Sequence, residues 1–477
     1  MVAGKWLFTL IVLITMACAG AGCRETVVTT ETQTRTTIPP DAQGDAASAN
    51  PDISADGRLV VFESDATNLV VGSTNGARTI YIKDTGTGVT TRVSSDTAGV
   101  NGNKDSDNPS ISGDGRFVAF DSIATNLVPG DTGSQCVSAS GTNINCPDVF
   151  IKNLDTGETR LVSASVAGEP GNRESQQPAI SADGRFVAFR SSAANLVAGD
   201  TNGKADVFLK DMQTGAVTRV SVTADGIEGN EDSEMASISA DGRFVAFHSL
   251  SATLAPDDAN GKMDVFLKDM QTGVLTRVST ASDGSQGDEA SGFGALSFSA
   301  NGRFIAFDSG ATNLVPDDAN GKRDVFLKDM QTGATTLVSA SAGVQGAEDS
   351  YSSIAVSSDG RFVAFSSDAS NLVAGDANEG KGKTDIFIRD MSTGLVGCIS
   401  TATGSAVPGL GKSDFVSISG DGRFVAFSSE AADLVPGDTN KKADVYLKDT
   451  RSGTTFRIST STADTGPAPG LTITDAE

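Results

Sequence analysis

"SADGRFVAF", residues 181–189, decides the fold because the chain keeps returning to it. Close relatives of the stretch place its glycine at 57, 115, 184, 242, 302, 360 and 422, at intervals of 58, 69, 58, 60, 58 and 62 residues. Repetition at such a period marks an array of like units. Four short segments recur in each unit; in the third they are "AIS" (179–181), "RFVAFRS" (185–191), "DVFLKD" (206–211) and "VTRVS" (217–221). Val, Ile and Phe dominate these segments and turn residues bound them, which predicts strands. Asp183-Gly184 closes the first hairpin, and Thr214-Gly215 turns the third strand into the fourth. "FVAF" is apolar at successive positions, as in a strand covered on both faces. The expected fold is therefore all-β: a seven-bladed β-propeller of four-stranded antiparallel blades over residues 44–460. An open β-solenoid is the competing arrangement.

The residues "SxDGRF…DVFLKD…TG…TRVS" resemble the TolB-type propeller repeat, which occurs in many bacterial envelope proteins. The resemblance covers nearly the whole mature chain and implies the fold; its members range from scaffolds to domains attached to peptidases, so it does not imply one function. TolB itself has six blades and a separate N-terminal domain, whereas this chain has seven units and a tether. The sialidase Asp-box is not matched, because here Gly follows Asp directly.

At the N-terminus one Lys precedes an apolar run from Trp6 to Met16, too short to span a bilayer, and small residues follow. That pattern is expected of an export signal over 1–22. Ala21-Gly22-Cys23 resembles the lipobox of bacterial lipoproteins, with Gly20 where that family usually has Leu; the resemblance implies an acylated Cys23 as the new N-terminus. Residues 23–43, rich in Thr, Ala and Pro, are expected to be a lipid-anchored flexible tether, and 461–477 a disordered tail. The chain is expected to be exported and held in the cell envelope, touching membrane only through that anchor. A formal charge of −24 argues against nucleic acid and anionic lipid as partners. Cys136 and Cys146 share one inserted loop of an exported protein and are expected to form a disulfide. Cys398 is left as a thiol.

Strand parity puts the tight turns on one face and the long loops on the other, where binding residues usually gather. The long-loop face carries "DTNGKAD" (200–206), "DANGKMD" (258–264) and "DANGKRD" (318–324). Asp200, Asn202 and Asp206, with Asp258, Asn260, Asp264 and Asp318, Asn320, Asp324, offer oxygens within a sharp turn, the chemistry of a calcium site. The competing reading is a turn motif, with an Asx-turn, an Asn-Gly of positive φ and an acid bonding the loop backbone. Blade seven has Lys441 for the glycine, and blade one lacks both acids. Asp211 cannot belong to such a site, since five strand steps carry it roughly 16 Å away. The inter-blade loops repeat a Gly four residues before a Ser, often with an acid just before that Ser, as in Asp105, Glu174, Asp232 and Asp349. That face is expected to be acidic.

Catalysis needs a positioned set of groups, most often including His. His248 is the one histidine, and its equivalents are Glu63, Asp121, Arg190, Asp308, Ser366 and Ser428. No nucleophile elbow, metalloprotease helix, P-loop or dinucleotide fingerprint appears. The expectation is a non-enzymatic, monomeric scaffold that binds an envelope protein or extracellular ligand through its long-loop face. The alternative is a carbohydrate-active glycosidase or lyase that uses carboxylates, with calcium as the cofactor to consider. Unpaired carboxylates clustered at the channel mouth would favour the enzyme.

Overall fold

The computed structural model describes residues 41–72, 76–130, 135–137, 143–255, 257–376 and 384–462. Seven four-stranded antiparallel sheets follow one another in chain order around a ring, and among the described residues there are no helices. Blade three is Ser175–Ile180, Phe186–Ser191, Asp206–Asp211 and Val217–Arg219. The first strand of every blade lines a central channel, where Asn50, Asn108, Gln177, Met235, Leu296, Ser353 and Phe415 meet. The 131–148 insertion of blade two carries a small hairpin, Gln135–Val137 with Asn143–Asn145.

The repeated residues explain how the blades hold together. Val187, Ala188 and Phe189 are fully buried, and Phe189 stacks on Phe208 of the next strand at 6.0 Å between ring centroids. Burying such a phenylalanine is worth about 1.5–3 kcal/mol. The glycine of "DGRF" serves the contact between blades. Gly184 has φ +73, and a Cβ there would stand 2.2 Å from the Phe117 ring of the preceding blade. The same interlock recurs around the ring, ending with Gly57 of blade one against Phe424 of blade seven. Lys210 of "DVFLKD" is buried and donates to the Ala164 carbonyl of the preceding blade at 2.8 Å. Asp211 turns to the tight-turn face, where Arg185 donates to both its oxygens and holds the carboxyl far below its ordinary range.

The first strands are longer than the sequence suggests. "AIS" is only the end of Ser175–Ile180, because the polar "ESQQP" reads as loop. A bulge makes the strand: Gln177 takes φ 54, the pairing register shifts between Gln176 and Ala179, and Pro178 follows where no ladder donor is needed.

The ring closes without exchanging a strand. Each inter-blade hairpin pairs the residue before the repeated glycine with the end of the preceding blade, as in Val222 with Glu228 and Thr280 with Gln286. At the seam Gln43 takes that place opposite Thr460, flanked by Asp41 N–H to Ser461 O (2.9 Å) and Gly44 N–H to Ser459 O (3.1 Å). The chain's first described residues thus act as the hairpin that blade seven would otherwise lack.

Candidate functional site

The three "DxNGxxD" loops form polar knots in which each residue type has a fixed job. The asparagine oxygens cap the turn: Asn202, Asn260 and Asn320 each accept the N–H two residues on, at 2.7–2.9 Å. Their amide nitrogens face the acids or the inter-blade hairpin, with Asn202 donating to Asp206 (2.9 Å) and Asn320 to Asp324 (2.8 Å). The structure thus brings the two acids of each loop together but turns the asparagine oxygen away from them. In blade three the guanidinium of Arg219, from "TRVS", reaches Asp200 (3.3 Å), Asp206 (3.5 Å) and Glu228. Blade four places Arg277 3.1 Å from Asp264, while Gln286 bridges Asp258 (2.8 Å) and Asp264 (2.9 Å). A protein cation therefore already sits where a metal would be held in these two blades.

Blade five differs. Leu337 occupies the arginine position, so no guanidinium joins the pair: the Gln345 amide donates to Asp318 at 3.2 Å, while Asp324 accepts from Asn320 and Ser339. Asp318 Oδ2 is buried with no hydrogen-bond partner. Burial raises both carboxyls, Asp324 to about 6. The sequence missed the arginine and glutamine that complete these knots; the signal was the residue before each repeated glycine, Gln43, Glu228, Gln286 and Gln345.

At the channel mouth the positions after "FVAF" serve the bulges. A residue of positive φ turns its N–H out of the ladder, and the acid of the preceding blade accepts it. Glu63 accepts from Asn108 N–H (3.1 Å) and Asp121 from Gln177 N–H (3.0 Å). Asp121 also accepts the Asn108 amide at 3.0 Å, and burial raises it to about 7. Asp308 accepts Gly294 N–H at 3.0 Å and faces Arg323 at 3.6 Å. Arg190 lies between Glu174 (3.2 Å) and Glu234 (3.1 Å), and burial holds His248 toward its neutral form. The acids before the repeated serines act similarly, with Asp105, Asp232 and Asp349 capping the backbone N–H groups of Arg78, Ala205 and Arg323. Part of the acidic face is thus a set of backbone acceptors, and another part pairs with cationic side chains, as Glu231 does with Lys204 and Glu348 with Lys322.

What varies from blade to blade is the bulge residue itself. Asn50, Asn108, Gln177, Met235 and Phe415 share φ 51–54 and line one cavity of about 330 Å³. Blades one to three give it amides, and blades four and seven give it Met235 and Phe415. Blade five runs two residues longer from Ser291 to Phe298 than blade three does from Ser175 to Ile180. This displays Phe293, 47% exposed, beneath the Arg323 guanidinium at 4.3 Å.

Cys146 is disulfide-bonded; the side chain of Cys136 lies outside the described residues. So do Cys23, the export signal, most of the tether and most of the tail. Cys398 is a free thiol, with burial pushing it up to about 12.

No protein-family model matches the chain, and no curated protein matches it. Solved structures do. TolB from Acinetobacter baumannii shares 16% identity at a TM-score of 0.39, over 74% of this chain and 63% of that one. The chain therefore spans under two thirds of that protein's length. A structure from a study of two prolyl endopeptidases matches at 12% identity and a TM-score of 0.51, over 86% of this chain and 49% of that one. The β-propeller domain of the Trilobed protease from Pyrococcus furiosus, described as having an open velcro topology, matches at 11% identity and a TM-score of 0.50, over 87% of this chain and 95% of that domain. Both TolB and peptidase propellers thus stand among the chain's structural neighbours, and what it shares with them is the β-propeller fold.

Proposed function

We propose that this protein is an exported, lipid-anchored envelope scaffold that binds a protein or extracellular ligand, without catalysis, through its long-loop face. The supporting observation is the division of labour at the channel mouth. Glu63 and Asp121 are each engaged by a bulge backbone N–H, and Asp308 by the Gly294 N–H of its own blade's first segment, so they serve the fold, while the residues free to vary are the bulge side chains around the channel. A variable ring on a rigid repeated frame suits recognition. The experiment is capture from envelope extracts with the wild type beside a variant carrying Phe293→Ser and Phe415→Asn. A partner held by the wild type and lost by the variant supports the reading, and turnover of an oligosaccharide by the purified protein overturns it.

We further propose that calcium, as the cofactor to consider, is taken in blade five. The supporting observation is the Asp318–Asp324 pair, which has Leu337 in place of arginine and one buried carboxylate oxygen without a donor. Asp318 and Asp324 would hold the ion, completed by water and loop carbonyls.

A further inference from the structure

The channel cavity is chemically two-sided, and the two sides are set by one repeat position. On the arc of blades one to three the two asparagine amides are already used as donors. Asn50 Nδ2 donates to Asn108 Oδ1 (3.2 Å), and Asn108 Nδ2 donates to Asp121 (3.0 Å). Gln177 Oε1 is a buried acceptor with no partner. Behind this arc stand Glu63, Asp107 and Asp121, with Glu174 and Glu234 beside blade three, against two guanidinium groups: Arg78, which Asp107 engages at 2.8 Å, and Arg190, held between Glu174 and Glu234. That side therefore bears net negative charge and holds one buried acceptor without a donor. A buried acceptor without a donor is destabilising, and a bound donor relieves it. The opposite arc presents Met235, Leu296 and Phe415, and Phe415 keeps 45% of its surface exposed.

We propose that the channel binds a small hydrophobic amine, its ammonium set against the Gln177 and Asp121 arc and its apolar body against Phe415, Met235 and Leu296. A donor-rich cation with an apolar tail satisfies both sides at once, whereas a carboxylate would meet an arc whose carboxylates outnumber its guanidinium groups. At about 30 Å³ for each water-sized group, 330 Å³ holds roughly ten heavy atoms, the size of a phenylalkylamine. The proposal rests on the reading of the channel mouth as the recognition surface.

Three probes of one shape separate the contributions: 4-phenylbutylamine, 4-phenylbutanol and 4-phenylbutyrate, titrated calorimetrically into the full chain at pH 8, above the value near 7 to which burial raises Asp121. The amine is expected to bind, the alcohol about tenfold more weakly, and the carboxylate not measurably. Two variants borrow residues that other blades carry at the same backbone conformation: Gln177→Met, as Met235, and Phe415→Asn, as Asn50. Each is expected to weaken the amine about tenfold with an unchanged far-ultraviolet spectrum. The proposal is overturned if the amine fails to bind at millimolar concentration, if alcohol or carboxylate binds as tightly, or if neither variant matters. Capture of a macromolecular partner by a protein that ignores the amine would sink this inference and leave the scaffold reading standing. Amine binding without any such partner would do the reverse.

Discussion

Replacing Gln43 by Ala tests how the propeller holds its ring shut. Gln43 Nε2 donates to Asp438 (2.8 Å) and Asp444 (2.7 Å), and its Oε1 accepts Thr439 N–H (3.1 Å). Both acids are sealed from water, with side-chain exposures of 1% and 0%. Arg457 remains 3.8 and 3.7 Å away, so the carboxylates are not abandoned, but each loses a charge-assisted donor that water cannot replace. A hydrogen bond to a charged group contributes about 1.5–3 kcal/mol, so the loss should be about 3 kcal/mol. Gln286→Ala removes the same bridge within one continuous stretch of chain and is the control. Urea unfolding should show both variants destabilised by similar amounts. Hydrogen exchange should separate them: in Gln43→Ala the amides of Gly44 and Ser461 should exchange far faster than the global transition, because this knot joins the chain's two ends. An unfolding midpoint within about 0.5 kcal/mol of wild type, or unchanged protection at the seam, would refute the reasoning.

Three further outcomes follow from the structure. Gly184→Ala drives a Cβ into Phe117 and should cost about 3 kcal/mol or more, whereas Gly215→Ala, of similar φ but facing open space, should cost only the about 1–2 kcal/mol of a left-handed alanine; urea titration of both separates clash from backbone strain. Calcium should raise the thermal midpoint of the wild type and of Asp258→Ala but not of Asp318→Ala; an equal rise in all three, or none in the wild type, removes blade five as its site. Asp324 binds its proton more tightly folded than unfolded, since burial holds it near 6 rather than 3.8. Its contribution is therefore fully present below about pH 3.8 and lost as pH rises through 6, so Asp324→Asn should gain on the wild type by about 2 kcal/mol between pH 4 and 7, as measured by urea unfolding at each pH.

The repeat made the blades legible because each of its residues has a local role that its type reveals. Ser-x-Asp-Gly-Arg is a turn, with Ser181 and Arg185 both bonded to Asp183, and Phe-Val-Ala-Phe is core. Ring closure was not legible, since Gln43 acquires its meaning only from residues about 400 positions away. The first strand was misread at its polar end because a bulge, not hydrophobic alternation, builds it. The candidate site was legible as a face rather than as a set of ligands. Asp200 and Asp206 do meet, but nothing in their own loop hints that Arg219 swings between them. In the same way the variety of residues at the His248 position hid its use, which shows only where bulge N–H groups donate to Glu63 and Asp121.

The most direct measurement places a photocrosslinking amino acid at Phe415 on the channel mouth, and separately at Gln213 on the tight-turn face, in otherwise native protein within the intact envelope. The expected result is a discrete crosslinked partner from position 415 and none from 213. A partner found only from 213, or none at 415 while the purified protein turns over an oligosaccharide, would contradict a binding scaffold that works through its long-loop face.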